Sequence, residues 1–504
     1  MAENTPDGAP DTGDLKLIYE ALIYKAEQYG QLFDFYDGDH PSTFLTKRLK
    51  DLFKKIDVTF SENWCAVVVD SMLERINLKT ITVVGENRVL TTSINLINAL
   101  SVQLEAEDLH EAVLVTGEGF IMVDRLPERP ADIAGEIDAA ELGDGAINPQ
   151  TEIYFNDPRQ VHIFYRNDNP GQIRVAGKWW VDDNGFRRIK LYYADHFEEW
   201  ISSALASKVR SYRSFRPITA EEGNGEEWWV ENPYPLIPIF HFRTKRRKAI
   251  SELKNAIPPQ TTLNKLLNDM MASAEFAAFR QRYIITQADI GENLENNPGV
   301  IWELPAGDGM GEGTKVGEFS ETSLTNFMEP INRAALTIAT VTRTPKHYFA
   351  TNVAAPSGEA LLTLEGPLNK KCQKRIEQFT PVWKSLWQFI MWLEGYPLSK
   401  DAIVPVYDKP ETIQPLTQSN IRKASRESGL PLKTVLRWEG HTQEQIQQIE
   451  EEIDAERERD LAHALRQQEI ESAAMGNAFE RITSGQAQGQ TIQPADEEAQ
   501  TDDS

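Results

Sequence analysis

Between Glu321 and Glu394 the chain repeats apolar residues at helical spacing twice over, and this pair of stripes limits the folds open to it. Leu324, Phe327, Met328, Ile331, Ala335, Ile338 and Thr342 share one face of a first helix. Leu364, Leu368, Cys372, Ile376, Phe379, Trp383, Leu386 and Ile390 form the stripe of a second, which opens at Ser357-Gly358-Glu359-Ala360-Leu361. Pro367 and Pro381 fall inside that second pattern. Each removes a backbone donor and crowds the preceding turn, so the spacing predicts a kinked helix and not an ended one. The irregular stretch Thr344 to Pro356 separates the two. Long apolar-faced helices around an exposed loop describe a structural element held by neighbours, not a reaction pocket.

The run Lys315-Val316-Gly317-Glu318-Phe319, the segment Ala339-Thr340-Val341-Thr342-Arg343-Thr344-Pro345-Lys346-His347-Tyr348-Phe349 and the helix start at Ser357 follow one another in order. That order resembles the portal protein of long-tailed double-stranded DNA phages. Other segments are similar to the same family, so that nearly the whole chain fits. They are Phe35-Tyr36 before its turn, the helix at Glu62-Asn63-Trp64-Cys65, and Ile257 to Phe279 ending Ala274-Glu275-Phe276-Ala277-Ala278-Phe279.

The resemblance implies an α+β, ring-forming portal fold with wing, stem, clip and crown interleaved along the chain. It divides the chain into a disordered arm (1–14), a first part of the wing (15–250), stem helix 1 (251–282), the clip (283–320) and stem helix 2 (321–344). A tunnel loop, the kinked helix and the second part of the wing follow (345–414), then a helical crown (415–482) and a disordered acidic tail (483–504). It implies a homo-oligomer, usually of twelve copies, at one vertex of a phage capsid. The ring would take part in DNA packaging, retention and ejection. The implied partners are the terminase packaging motor, the major capsid and scaffold proteins, a head-completion adaptor, and double-stranded DNA passing without sequence specificity. On this reading Lys346, His347, Tyr348, Asn352 and Ser357 belong to the tunnel loop, with Lys346, His347 and Asn352 touching phosphate transiently. A plain helix connector is the alternative.

The net charge of −25 bears on the same point. A protein that holds nucleic acid by neutralising phosphates needs a basic footprint, which this chain lacks overall. Solubility alone explains such a charge. In a channel it has a second meaning, since an acidic wall does not grip a sliding polyanion. The basic cluster is Arg243, Lys245, Arg246, Arg247 and Lys248, which would face DNA or capsid, or would simply be a solvated turn. No window approaches the roughly 20 apolar residues of a membrane helix. Met1 to Asp14 lacks the order of a signal peptide, so a cytoplasmic product is expected, and the resemblance implies assembly in the host cytoplasm and residence in the virion. Cys65 and Cys372 lie on apolar helix faces and read as buried free thiols.

From the N-terminus, Leu15 to Tyr36 is expected to be helical, with Leu15, Ile18, Leu22, Ala26 and Tyr29 on one face and a break at Asp37-Gly38-Asp39-His40-Pro41. His40 before proline reads as a structural turn residue. A helix follows over Ser61 to Asn77 with Ser61 as its N-cap, then a strand over Thr80 to Val84 and helices over Ile94 to Leu104 and Asp108 to Val115. Gly117-Glu118-Gly119 reads as a turn into the strand Phe120 to Val123, and Pro127 to Pro149 as an acidic loop. Tyr154 to Trp229 reads as antiparallel sheet with a tight turn at Asp182-Asp183-Asn184-Gly185. Its aromatics near Lys178 and Arg188 could stack on bases, but packing across the sheet is the default reading. Pro258-Pro259 starts the first long helix. Strands at Tyr283 to Thr286, Val300 to Leu304 and Val316 to Phe319 follow, and after the kinked helix a strand at Ile403 to Val406. Helices over Thr417 to Ser428, Pro431 to Trp438 and Glu444 to Met475 complete the chain, with Asn420 read as a helix start and Gly429 as a stop.

No phosphate loop and no Gly-x-Ser-x-Gly occurs. His110-Glu111 is half of a zinc-protease motif, but Leu114 stands where the second histidine belongs. Neither an enzyme, a metal nor a cofactor is therefore expected. Two rival readings stay open: a head structural or scaffold protein without a channel, and a metal-dependent hydrolase using Asp and Glu residues.

Overall fold

The computed structural model describes residues 12–41, 61–84, 87–125, 149–223, 227–278, 282–285, 315–318, 323–349, 358–410, 415–438 and 443–484. The chain divides into two compact units, Met1–Asn420 and Ile421–Ser504. The fold is α+β, as expected.

The first unit opens with α1 (Gly13–Asp37), α2 (Trp64–Leu73), β1 (Leu78–Val83), α3 (Asn87–Ala99) and α4 (Val102–Thr116). Strands β2 (Glu118–Arg125), β3 (Thr151–Asn156), β4 (Val161–Tyr165), β5 (Ile173–Val181) and β6 (Phe186–Tyr192) follow. Next come β7 (His196–Leu205), β8 (Phe215–Pro217), β9 (Trp229–Glu231) and β10 (Ile239–Arg243). After a short 3-10 turn at Glu252–Asn255 come α5 (Ile257–Ala278), β11 (Arg282–Ile285), β12 (Lys315–Glu318) and α6 (Thr325–Thr342). The unit continues through α7 (Gly358–Leu393) and β13 (Ile403–Tyr407), and α8 (Pro415–Glu427) spans the boundary.

Helix α1 ends at Gly38, whose φ of +90° is the left-handed conformation that stops a helix. Its buried face, Leu15, Ile18, Tyr19 and Leu22, covers Val175, Trp179, Ile189, Leu191 and Trp200 of the larger sheet. Gly177 on β5 is required there, because a Cβ at that position would overlap the Ile18 side chain. The sheet runs β4-β5-β6-β7-β8, with β9 also pairing with β7. The β5–β6 turn forms as its sequence dictates. Gly185 takes φ +80°, and Asp182 accepts from the Phe186 amide at 2.8 Å. The basic side chains of this sheet are committed locally. Lys178 lies 4.8 Å over the Tyr154 ring, and Arg188 pairs with Asp182 and Glu199 at 3.0 Å each.

A second sheet, β10-β2-β3, and the pair β1–β13 face the main core. Helix α7 crosses that core, burying Leu368, Cys372, Ile376, Phe379, Trp383, Leu386, Trp387 and Ile390. It remains helical through both Pro367 and Pro381. Both thiols are buried, and burial pushes Cys372 up to about 11 and Cys65 up to about 12. In the second unit α9 (Leu432–Trp438) packs on α10 (Gln443–Ser484), burying Val435, Leu436 and Ile446.

Several expectations are corrected. The antiparallel stretch Tyr154 to Trp229 is divided between two sheets, with Tyr154 in β3 of the second. Asn63, not Ser61, caps α2, its side chain accepting from the Ala66 amide at 3.3 Å. The two helices after β1 divide at Leu100–Ser101, with Ser101 at φ +50°, and not between Leu104 and Asp108. Gly117 caps α4 at φ +99°, but Glu118 is already the first residue of a strand and is buried. Gly13 and Asp14, expected in the N-terminal arm, form the first turn of α1. The two long helices are shorter than 251–282 and 321–344, and helix α10 runs to Ser484, beyond both Met475 and residue 482. Asn420 lies inside α8. Val300 to Leu304, most of Pro127 to Pro149 and residues 485–504 lie outside the described residues. Among the described residues no helix is long and apolar enough to cross a membrane.

Candidate functional site

Helices α5 and α6 pack side by side. At 1.5 Å per residue they are about 33 Å and about 27 Å long. Beyond them β11 and β12 pair antiparallel, with Tyr283 opposite Gly317. Helix α6 carries a heptad-like row: Leu324, Met328, Ile331, Ala335, Ile338 and Thr342 are spaced alternately by four and three residues. The last four of the row are buried. The first two continue it toward the β11–β12 end and are exposed, Leu324 at 38% and Met328 at 48%. The apolar seam therefore extends past the point where this chain's own described residues cover it. Helix α7 shows the same pattern. Leu368 is fully buried, whereas Leu362 and Leu364, one to two turns earlier, are exposed.

The loop between α6 and α7 is rooted firmly on the α6 side. The Thr342 hydroxyl lies 3.0 Å from that of Thr344 and donates to the Ile338 carbonyl at 2.7 Å. Lys346–Tyr348 forms one 3-10 turn. Phe349 is buried, with its ring 5.1 Å from that of Trp64. Tyr348 accepts from Arg75 Nη2 at 2.8 Å, and the same Nη2 lies 3.5 Å from Glu365 Oε2. Tyr348 is thus a half-buried anchor between α2 and α7. Lys346 is exposed, and His347 is half-buried with its ring edge-on to Tyr348. Asn352 and Ser357 lie outside the described residues.

Beside this root lies a cleft of about 670 Å³ between α7, the end of α6 and the turn at Glu252–Asn255. Glu252 forms its floor. Its carboxylate is 2.8 Å from Lys371 Nζ and pairs with Arg375, whose Nη1 also donates to the Thr244 carbonyl at 2.9 Å. Burial alone would raise this carboxyl, but the two cations outweigh it and hold it below the usual range. Lys371 also donates to the Thr342 carbonyl at 3.0 Å, satisfying an orphan acceptor at the end of α6. Of the expected basic cluster only Lys245 lines the cleft. Arg243 instead lies 4.8 Å over the Tyr165 ring, while Lys245 to Lys248 form an exposed turn. Lys254 and Arg343 add two more cations, and the rest of the cleft's cations come from Asn369-Lys370-Lys371-Cys372-Gln373-Lys374-Arg375. That basic run is plain in the sequence, but the apolar stripe sharing the helix masks it. Among the described residues no group of three or more His, Cys, Asp or Glu side chains is placed to hold a metal ion. His110 is buried between Phe379 and Trp383.

No curated protein matches the chain. A family model described as "Phage portal protein, SPP1 Gp6-like" matches residues 15–459.

Proposed function

Since this chain belongs to the SPP1 Gp6-like family of phage portal proteins, we propose that its copies close into a ring that conducts double-stranded DNA through a capsid vertex. Membership makes it a structural protein of the phage capsid and of DNA packaging. The ring, the channel and the division into wing, stem, clip and crown are the finer reading. In it α5 and α6 are the stem, β11 and β12 belong to the clip, and the loop after Lys346 enters the tunnel. Twelve copies, a terminase motor, a head-completion adaptor, capsid and scaffold proteins, and assembly in the host cytoplasm complete the proposal.

The observation that carries it is the apolar seam of α6, buried from Ile331 onward but open at Leu324 and Met328. Apolar side chains that continue a heptad row past its buried part are stabilised when another helix covers them. In a ring that helix belongs to a neighbouring copy. The net charge of −25 supports a lumen that keeps counterions on the DNA and lets it slide. The double variant Leu324→Asp/Met328→Asp tests the reading. It is expected to fold with unchanged circular dichroism and to remain below ring size in light scattering. Rings forming as in the parent chain would remove the seam as support.

A further inference from the structure

Helix α7 carries two cationic rows, each one turn long. Lys371 and Arg375 turn inward to Glu252. Lys370 and Lys374 are exposed, and no carboxylate among the described residues pairs with either. Lys245, Lys254 and Arg343 line the same cleft, also without a carboxylate partner among the described residues. Arg343 is notable for its backbone. It caps α6 in the left-handed region at φ +62°, where glycine is the ordinary choice. A conformation that costs roughly 1–2 kcal/mol for a residue with a Cβ is kept, and with it a cation at the rim.

A second cleft, of about 500 Å³, has the opposite sign. Asp70 and Glu74 at the end of α2, and Glu107 on α4, line it with no Lys or Arg in its wall. Asp70 and Glu74 are one turn apart, the same spacing as Lys370 and Lys374. Side chains so spaced stand about 5–6 Å apart on a helix surface, so the two rows match in pitch as well as in charge.

A ring needs a heterologous contact, in which one patch of a subunit meets a different patch of the next. We propose that the basic cleft receives the Asp70, Glu74 and Glu107 surface of a neighbouring copy, with Lys370 and Lys374 facing its carboxylates. The inference rests on the ring reading and supplies one of its contacts. Duplex DNA is the less fitting occupant. The cations line a recess whose wall also carries Glu252 and Glu377, whereas phosphate binding along a duplex needs an uninterrupted basic footprint.

Charge reversal on the 504-residue chain tests the contact. Lys370→Glu/Lys374→Glu and Glu74→Lys/Glu107→Lys are each expected to raise the concentration for half-assembly by about tenfold or more, because like charges then meet across the interface. The four-fold variant is expected to recover most of that loss. Circular dichroism and melting temperature serve as folding controls. Two double variants that assemble like the parent overturn this contact and leave the ring standing. So does a four-fold variant that folds but stays dissociated. Loss of duplex binding without loss of assembly in Lys370→Glu/Lys374→Glu assigns the cleft to nucleic acid and also overturns the proposal. A parent chain that never associates contradicts the ring itself.

Discussion

Nε2 of His241 lies 2.8 Å from Oε2 of Glu118, and both side chains are buried. The other oxygen of that carboxylate pairs with Lys25 and accepts from the Tyr29 hydroxyl at 2.7 Å. The Tyr165 hydroxyl is 2.8 Å from His241 Nδ1. With the phenol donating to Nδ1, Nε2 carries the proton, so His241 is neutral and Lys25 is the cation that balances Glu118. Burial pushes His241 and Lys25 down. Burial alone would raise Glu118, but the charge of Lys25 and the His241 hydrogen bond hold it well below the carboxylate range. The network joins α1, β2, β10 and β4.

Removing the acid leaves Lys25 buried and uncompensated. Glu118→Gln is expected to cost about 3–5 kcal/mol, the range for breaking a buried ion pair on one side. Urea denaturation followed by tryptophan fluorescence at pH 7 checks this, and a loss under about 1 kcal/mol contradicts it. Because the folded pKa of Glu118 is depressed, its contribution is present above about pH 4.3. It is lost as pH falls through the folded value.

His110 and His162 act earlier in an acid titration. Burial lowers each to about 3. The unfolded chain protonates both near pH 6.5, roughly the free value, while the folded chain does not. Their contribution is therefore full above that pH and declines as pH falls toward 3. Each missing proton lowers stability by about 1.4 kcal/mol per pH unit across the window. His110→Phe is expected to remove one proton from the slope between pH 6 and 4. It also removes the acceptor 3.4 Å from Trp383 Nε1, which lowers the whole curve. Curves of equal slope contradict the account.

Glu252 fastens the α5 entry turn to α7 through Lys371 and Arg375. Glu252→Ala strands two half-buried cations and is expected to cost about 3–5 kcal/mol. Lys370→Ala, on the exposed row, is expected to stay within about 0.5 kcal/mol. Equal effects in paired denaturation curves contradict the division between the rows.

Arg343→Gly removes the left-handed penalty at the end of α6. It is expected to stabilise the chain by about 0.5–1 kcal/mol, the steric relief less the entropy of glycine. A lowered melting temperature shows that the Arg343 side chain stabilises the fold.

The helices were legible because their apolar periods are long. The α7 stripe from Leu368 to Ile390 is buried as the spacing predicts, and β13 and the β11–β12 strands are where their patterns fall. Contacts between distant segments were not legible. The pairing of Thr82 with Val404 joins strands that each read as strands but name no partner. Lys25 sits on the apolar face of α1 with nothing in the sequence to mark its partner, and Glu118 between two glycines reads as turn. Only their mutual proximity makes either burial tolerable. The division at Ser101 had no glycine or proline to mark it. The cleft went unseen because Lys370, Lys371, Lys374 and Arg375 share a helix with the core stripe, and they meet Lys245, Lys254 and Arg343 only when the end of α6 and the Glu252 turn come against α7.

Negative-stain imaging of the purified 504-residue chain decides whether its copies close into a hollow ring. Closed rings with a stain-filled central hole, built from a fixed number of copies, are expected. Single chains at every concentration, or compact particles without a hole, would contradict the ring.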